Sequence, residues 1–410
     1  MSQSYTPSSN ILEKYAALIV GFGIQNRNGS KPKKGSVVHF VVPEVAKPLY
    51  FHLQAAILNA GHHPLGEFVP SSTDEFPFRR NFFERANKAQ LEFYPEESRN
   101  ALVDQADCSI LVLAPTSLQE LATVPSRKLK AQTDARAGSI KHKRNKIDAG
   151  KLNWTIVLYG TDEAAAEAGL SPKQYWNQII KACYLKDKDP VATWKKINRT
   201  VQQTASKLTD LEIQTVHMVG DDVDLTIGIG SDRCWQAGGG NNIPSFEVFT
   251  SPTWQEVNGW IHLNQPLYHQ GSLIEGITLW FKEGIVVKSK AIKNHKLLQS
   301  LLKLENGNKL GEFSLTDGRL SKITHFMAET LYDENMGGKY GNTHIALGAA
   351  FKDCYRGKPK QSWTEADWSK RGFNNSILHA DIISTSNRTV TATLPDGSET
   401  VIYTNGKFTI

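Results

Sequence analysis

Up to about residue 210, short β-branched apolar runs alternate with stretches whose apolar residues recur at helical spacing; beyond it, strand-like runs follow one another with little but turns between them. In the first half, Val37–Val42, Cys108–Ala114 and Trp154–Tyr159 read as strands, and Val45–Ala60, Asn81–Leu91 and Thr116–Leu121 as helices. Ser171-Pro172 and Asp189-Pro190 each set a capping side chain before a proline at the first helical position, and so start helices over Gln174–Tyr184 and Val191–Leu208. In the second half the strands are Glu212–Val219, Val223–Ile229, Val257–Leu263, Leu273–Phe281 and Val286–Ala291, the last two joined at Glu283-Gly284. Asp396-Gly397 and Asn405-Gly406 mark hairpins between alternating Thr, Val and Tyr residues. The expectation is an α/β N-terminal domain, residues 1–210, followed by a strand-rich α+β domain, residues 211–410.

Composition narrows the class. A chain of 410 residues with 40% hydrophobic and 21% charged positions can bury two cores and is too apolar to stay disordered. The longest apolar run, Tyr15 to Ile24, is half of the roughly 20 residues that a membrane span requires. The first thirty residues lack the basic start, apolar middle and small-residue cleavage site of a secretory signal, so a cytoplasmic location and no membrane partner are expected. Cys108, Cys183, Cys234 and Cys354 lie far apart with no CxxC pair, which suggests neither a disulfide framework nor a thiolate cage. Any metal would need oxygen and imidazole ligands.

The net charge of +6 is local. Between Arg127 and Lys151, nine basic residues face two acidic ones, a surplus of +7 that leaves the rest of the chain slightly acidic. That segment holds no aromatic residue on which a base could stack, so it is read as a solvated helix face or a mobile loop, and nucleic acid is not an expected partner. Gly21-Phe-Gly23 fails as a dinucleotide fingerprint, because Asn26 stands where the third glycine belongs and the residues to Pro32 cannot open a helix. No GxSxG elbow occurs.

Six metal-capable side chains in the second half stand in unusual local contexts. His379-Ala-Asp381 lies in the strand-like run Leu378–Ser384, where the two-residue period puts imidazole and carboxylate on one face. Glu312 sits in Leu310–Leu315 beside a glycine that permits close backbone approach. Glu334 and His344 flank the glycine-rich stretch Asn335–Thr343, and His344 is read as starting an apolar helical run, Ile345–Ala350. Glu247 follows the turn Asn242–Phe246. Singly, each has a bland reading as a cap or an exposed carboxylate. Together, four carboxylates and two imidazoles would balance two divalent cations and suit zinc, cobalt or manganese, and a carboxylate-rich pair points to catalysis rather than to structural zinc.

The segments Asn242-Ile-Pro-Ser-Phe-Glu-Val-Phe-Thr-Ser-Pro252, Leu310–Leu315, Thr330-Leu-Tyr-Asp-Glu-Asn335, Thr343-His-Ile-Ala-Leu-Gly348 and Leu378–Asp381 stand in the order seen in the thermophilic aminopeptidase T family, and the chain resembles that family from about residue 35 onward. The resemblance implies a two-domain protein, usually a homodimer, whose C-terminal metal-binding domain removes N-terminal residues from peptides with a free N-terminus. It implies Glu247, Glu312, Glu334, His344, His379 and Asp381 as ligands of two metal ions, with Glu312 bridging them and serving catalysis. Two departures stand out. The loop Met336–Thr343 is longer than the family's, and Phe351 stands where the family usually carries a tyrosine that assists the developing oxyanion. Either a substitute hydroxyl comes from Tyr340 in the loop or from Tyr355 one helical turn on, which is the favoured expectation, or the chain is a slower enzyme. The competing readings are a dinuclear amidohydrolase of narrower substrate range and a catalytically weak relative that acts as a binding protein.

Overall fold

The computed structural model describes residues 4–25, 31–269, 272–359 and 362–410. Asn26 to Ser30, on which the dinucleotide fingerprint fails, lie outside the described residues. Gly21 and Gly23 themselves sit in a π-helical turn, Ile19–Gly23, which continues the helix Ser9–Leu18.

The chain is mixed α/β and divides into two compact units: residues 1–195 with 239–244, and residues 196–238 with 245–410. Unit one is built on a parallel sheet in the order His63–Val69, Val37–Pro43, Cys108–Leu113, Asn153–Leu158, Asn242–Ile243. Three of these strands follow the apolar runs of the sequence. His63–Val69 does not stand out there, because Pro64 and Gly66 interrupt its pattern and it is an edge strand. The capped helices form as expected: Ser171 and Gln174 close a capping box on Pro172–Ala182, and Asp189 Oδ1 accepts from Ala192 N at the start of Pro190–Asp210. Thr116–Leu121 forms turns and not a helix.

The basic segment becomes the helix Ser126–Asp148, and much of its charge has structural work. Lys146 Nζ donates to the carbonyls of Val103, Asp104 and Ala106 at 2.8, 2.9 and 2.6 Å, which satisfies the end of the helix Glu96–Gln105. Lys130 pairs with Asp134 and Arg144 with Asp148 along the helix, and Lys128 donates to the Phe83 carbonyl. Among the described residues, no helix is long and apolar enough to cross a membrane.

Unit two is antiparallel. An eight-stranded sheet runs in the order Ile285–Lys290, Ile277–Lys282, Val257–Leu263, Val223–Gly228, Thr215–Gly220, Thr389–Thr393, Glu399–Thr404, Lys407–Phe408. Gly276, at φ +62°, separates Ile277–Lys282 from Ser272–Ile274, so the run read as one strand is two. Asn405 and Gly406 both take positive φ, as the hairpin at that dipeptide requires. A second sheet has the order His379–Ser384, Asn342–Gly348, Leu310–Thr316, Glu247–Thr250, Gln236–Ala237. His344 therefore lies in a strand and not at the head of a helix. Asn342, His344, Ala346 and Gly348 alternate with Thr343, Ile345 and Leu347 at period two, and burial of both faces hides that period behind small residues that also suit helices.

Candidate metal centre

The four longer strands of this second sheet are buried along nearly their whole length, yet one face carries polar or small residues at alternate positions, interrupted by Phe249 and Ile383. Antiparallel register aligns these positions: Glu312 pairs with Ala346 and Ala346 with Asp381, Ser314 with His344, Thr316 with Glu247, and Gly348 with His379. Directly paired residues project to one face, so Glu247, Glu312, His344, His379 and Asp381 share it. Ala346 lies in register between Glu312 and Asp381, where a methyl group leaves space for their carboxylates. The pairing register shifts between Leu310 and Glu312, and a Cβ added to Gly311 would lie 2.1 Å from the Ala349 carbonyl oxygen, so only glycine fits beside Glu312.

Two ligand triads result. Glu247, Glu312 and His344 offer donor atoms within 4.8 Å of one another, and so do Glu312, His379 and Asp381. Glu312 belongs to both, and it turns one oxygen to each: Oε1 is 3.7 Å from His344 Nε2, and Oε2 is 3.2 Å from His379 Nε2. His344 Nε2 lies 3.6 Å from Glu247 Oε2, and His379 Nε2 lies 3.3 Å from Asp381 Oδ1. Glu334, buried at the end of the short helix Thr330–Asp333, stands outside both triads but feels the charges of Glu247, Asp381 and Glu312. All six candidate residues are thus gathered in unit two.

The imidazoles are oriented by their far nitrogens. His379 Nδ1 lies 3.0 Å from the Ala349 carbonyl, and His344 Nδ1 lies 3.4 Å from Asn342 Oδ1. Both oxygens can only accept, so in the neutral rings Nδ1 carries the proton and Nε2 turns a lone pair toward carboxylates. Lone pair and carboxylate repel unless a proton or a cation lies between them. His344 Nε2 and Ser314 Oγ are buried with no hydrogen-bond partner among the described residues, the orphaned atoms that a bound ion would satisfy. The donor set therefore fits a divalent metal. Burial, reinforced by Glu247, Asp381 and Glu312, pushes the Glu334 carboxyl well up. Burial would lower His379, but Asp381 and Glu312 outweigh it and hold the imidazole well above its usual value. His344 is raised for the same reasons. Burial would raise Glu312, and the contacts with His344 and His379 reverse the sign.

Phe351 closes one side. Its ring centroid is 5.0 Å from that of His379 and 5.5 Å from that of Phe249. Tyr355, offered as a substitute hydroxyl on the assumption of a helix, packs instead with Trp363, Trp368 and Phe373, and its hydroxyl lies over Gly357. The Tyr340 carbonyl accepts from Tyr403, and its ring faces Lys339. The ring that meets the candidate ligands is therefore the phenylalanine. Phe351→Tyr is expected to raise kcat about tenfold with little change in KM, equivalent to ~1.4 kcal/mol, because an added donor would act mainly on the transition state. Steady-state kinetics of the two proteins check this; an unchanged or lower kcat would rule out hydroxyl assistance at this position.

Comparison with known proteins agrees with this chemistry. The family described as thermophilic metalloprotease (M29) matches residues 8–408, and the chain belongs to it. Its members are metal-dependent hydrolases of peptide bonds. Aminopeptidase PepS of Streptococcus thermophilus is 27% identical, over 97% of this chain and 98% of its own. Aminopeptidase T of Thermus thermophilus is 30% identical over 73% of this chain and 76% of its own. The solved structure of wild-type AmpT from Thermus thermophilus superposes with a TM-score of 0.83 at 24% identity, covering 98% of this chain and 99% of that one, and so shares the fold.

Proposed function

We propose that this chain is a metal-dependent aminopeptidase, with two divalent ions (zinc, cobalt or manganese) held by Glu247, Glu312, Glu334, His344, His379 and Asp381. The observation that carries the reading is Glu312, which belongs to both triads and turns one oxygen to each. In this reading the catalytic metal-binding domain follows the α/β domain and is carried by unit two, residues 196–238 with 245–410. A homodimer working in the cytoplasm on peptides with a free N-terminus belongs to the same reading.

When bound, the ions supply Lewis-acid polarisation of the scissile carbonyl and lower the pKa of water toward neutrality. The protein's own groups do the rest. Glu312, with one oxygen turned toward His344 and the other toward His379, would hold both ions and keep them together for catalysis. The Ala349 carbonyl and Asn342 keep the Nε2 lone pairs of His379 and His344 turned inward. The free α-amine of the substrate would be held at the centre that these six side chains form, a contact that an acylated N-terminus cannot make, which would make the activity an exopeptidase one.

The test compares a short peptide with its N-acetylated form, using metal-loaded protein. Release of the first residue from the free peptide and at least a hundredfold slower cleavage of the acetylated one is expected. Equal cleavage of both would contradict the aminopeptidase reading, and cleavage of neither by a chain carrying two metals would favour a binding protein.

A further inference from the structure

Glu247 and Glu334 reach the cluster from different parts of the chain, and one side chain touches the segments that carry both. We infer that Asn335 is a positioning residue of the metal centre: its amide holds the Glu334 carboxylate in the direction from which it meets the ions, while tying that loop to the backbone beside Glu247. The inference rests on the metal reading of the cluster.

Asn335 is fully buried. Its Oδ1 accepts from Phe246 N at 2.6 Å, across 89 positions of sequence, and Phe246 immediately precedes Glu247. Its Nδ2 donates to the Leu331 carbonyl at 3.1 Å and to Glu334 Oε1 at 3.3 Å. The amide can be oriented in only one way. A backbone N–H must donate, so Oδ1 faces Phe246, and a carbonyl must accept, so Nδ2 faces Leu331; the second N–H is then left for the Glu334 carboxylate. The surrounding frame is stiff: Asn342 Nδ2 donates to the carbonyls of Glu334 and Met336 at 2.7 and 2.9 Å, and Ser321 Oγ donates to that of Asn335 at 2.5 Å.

Glu334 needs such a hold. Unlike the strand-borne ligands, it sits on a loop, and Glu247, Asp381 and Glu312 repel its charged form. A donor on Oε1 opposes that repulsion and fixes which oxygen turns inward. An ionised aspartate at 335 would keep the acceptor for Phe246 but could not donate, and it would add like charge. Outer partners of this kind are typically worth about 10- to 100-fold in metal affinity.

The experiment titrates cobalt into metal-free wild type, Asn335→Asp and Asn335→Ala, reading visible absorption for affinity and coordination and, separately, the melting temperature of each metal-free protein. Asn335→Asp is expected to melt below wild type, because the Leu331 carbonyl loses its donor, and in its folded form to bind cobalt about tenfold or more weakly, with shifted bands. The sign is diagnostic, because added negative charge alone would tighten binding. Asn335→Ala should weaken binding similarly without the new charge, so it carries the test if the aspartate variant does not fold. Wild-type affinity, or tighter, with a wild-type spectrum in the variants overturns the positioning role. A wild-type chain that takes up no cobalt overturns the metal reading, and the inference with it.

Discussion

Glu312→Gln is expected to leave a folded protein whose hydrolysis is reduced by roughly 10³-fold or more, on the scale of losing a central catalytic group. The change keeps size and shape, so the fully buried strand Leu310–Thr316 should pack as before. What it removes is charge at the one residue shared by both triads. The amide nitrogen would replace one of two oxygens that face His344 Nε2 and His379 Nε2 at 3.7 and 3.2 Å. An amide is a poor link between two cations and does not accept a proton at neutral pH. Measuring kcat, metal content and the melting curve together separates the causes: lost turnover with an intact fold supports the shared role of Glu312. Near-normal turnover with both metals bound would show that the bridge lies elsewhere.

How much of this was legible beforehand depends on which residues are considered. His379 and Asp381 were readable as a pair, because a strand's period of two needs no tertiary information, and they lie 3.3 Å apart. Glu312 was readable as a strand residue beside a glycine, but the register shift that makes Gly311 necessary was not. His344 was readable as a metal-capable side chain but was read into a helix, because a strand buried on both faces loses the contrast that marks alternation. Glu334 reaches the site only through the fold of its loop, and no local pattern announces that. Asn335 stood inside a quoted segment without a role, since its function lies in a hydrogen bond to Phe246 across 89 positions. The hydrophobic pattern marked three strands of the parallel sheet and missed Asn242–Ile243, a two-residue strand too short to show any period. The basic segment was recognised as surface charge, but the three carbonyls that Lys146 satisfies belong to another helix.

Metal removal is the second large effect. Glu334, His344 and His379 are all held above their usual values, which favours their protonated forms when no metal is bound and lets the fold survive chelation. Loss of activity should then be reversible and not a consequence of unfolding. The same directions imply that metal is taken up with release of protons and is bound more weakly as pH falls. Peptides with a free N-terminus should be untouched by the metal-free protein and cleaved again after reloading.

The most direct measurement is hydrolysis of a free-N-terminal peptide by protein dialysed against a strong chelator and verified metal-free, then reloaded with increasing cobalt, zinc or manganese while bound metal is counted. The prediction is no detectable turnover in the metal-free protein and recovery that completes near two ions per chain. Unchanged turnover in the verified metal-free protein would contradict the assignment of these six side chains as a catalytic metal centre.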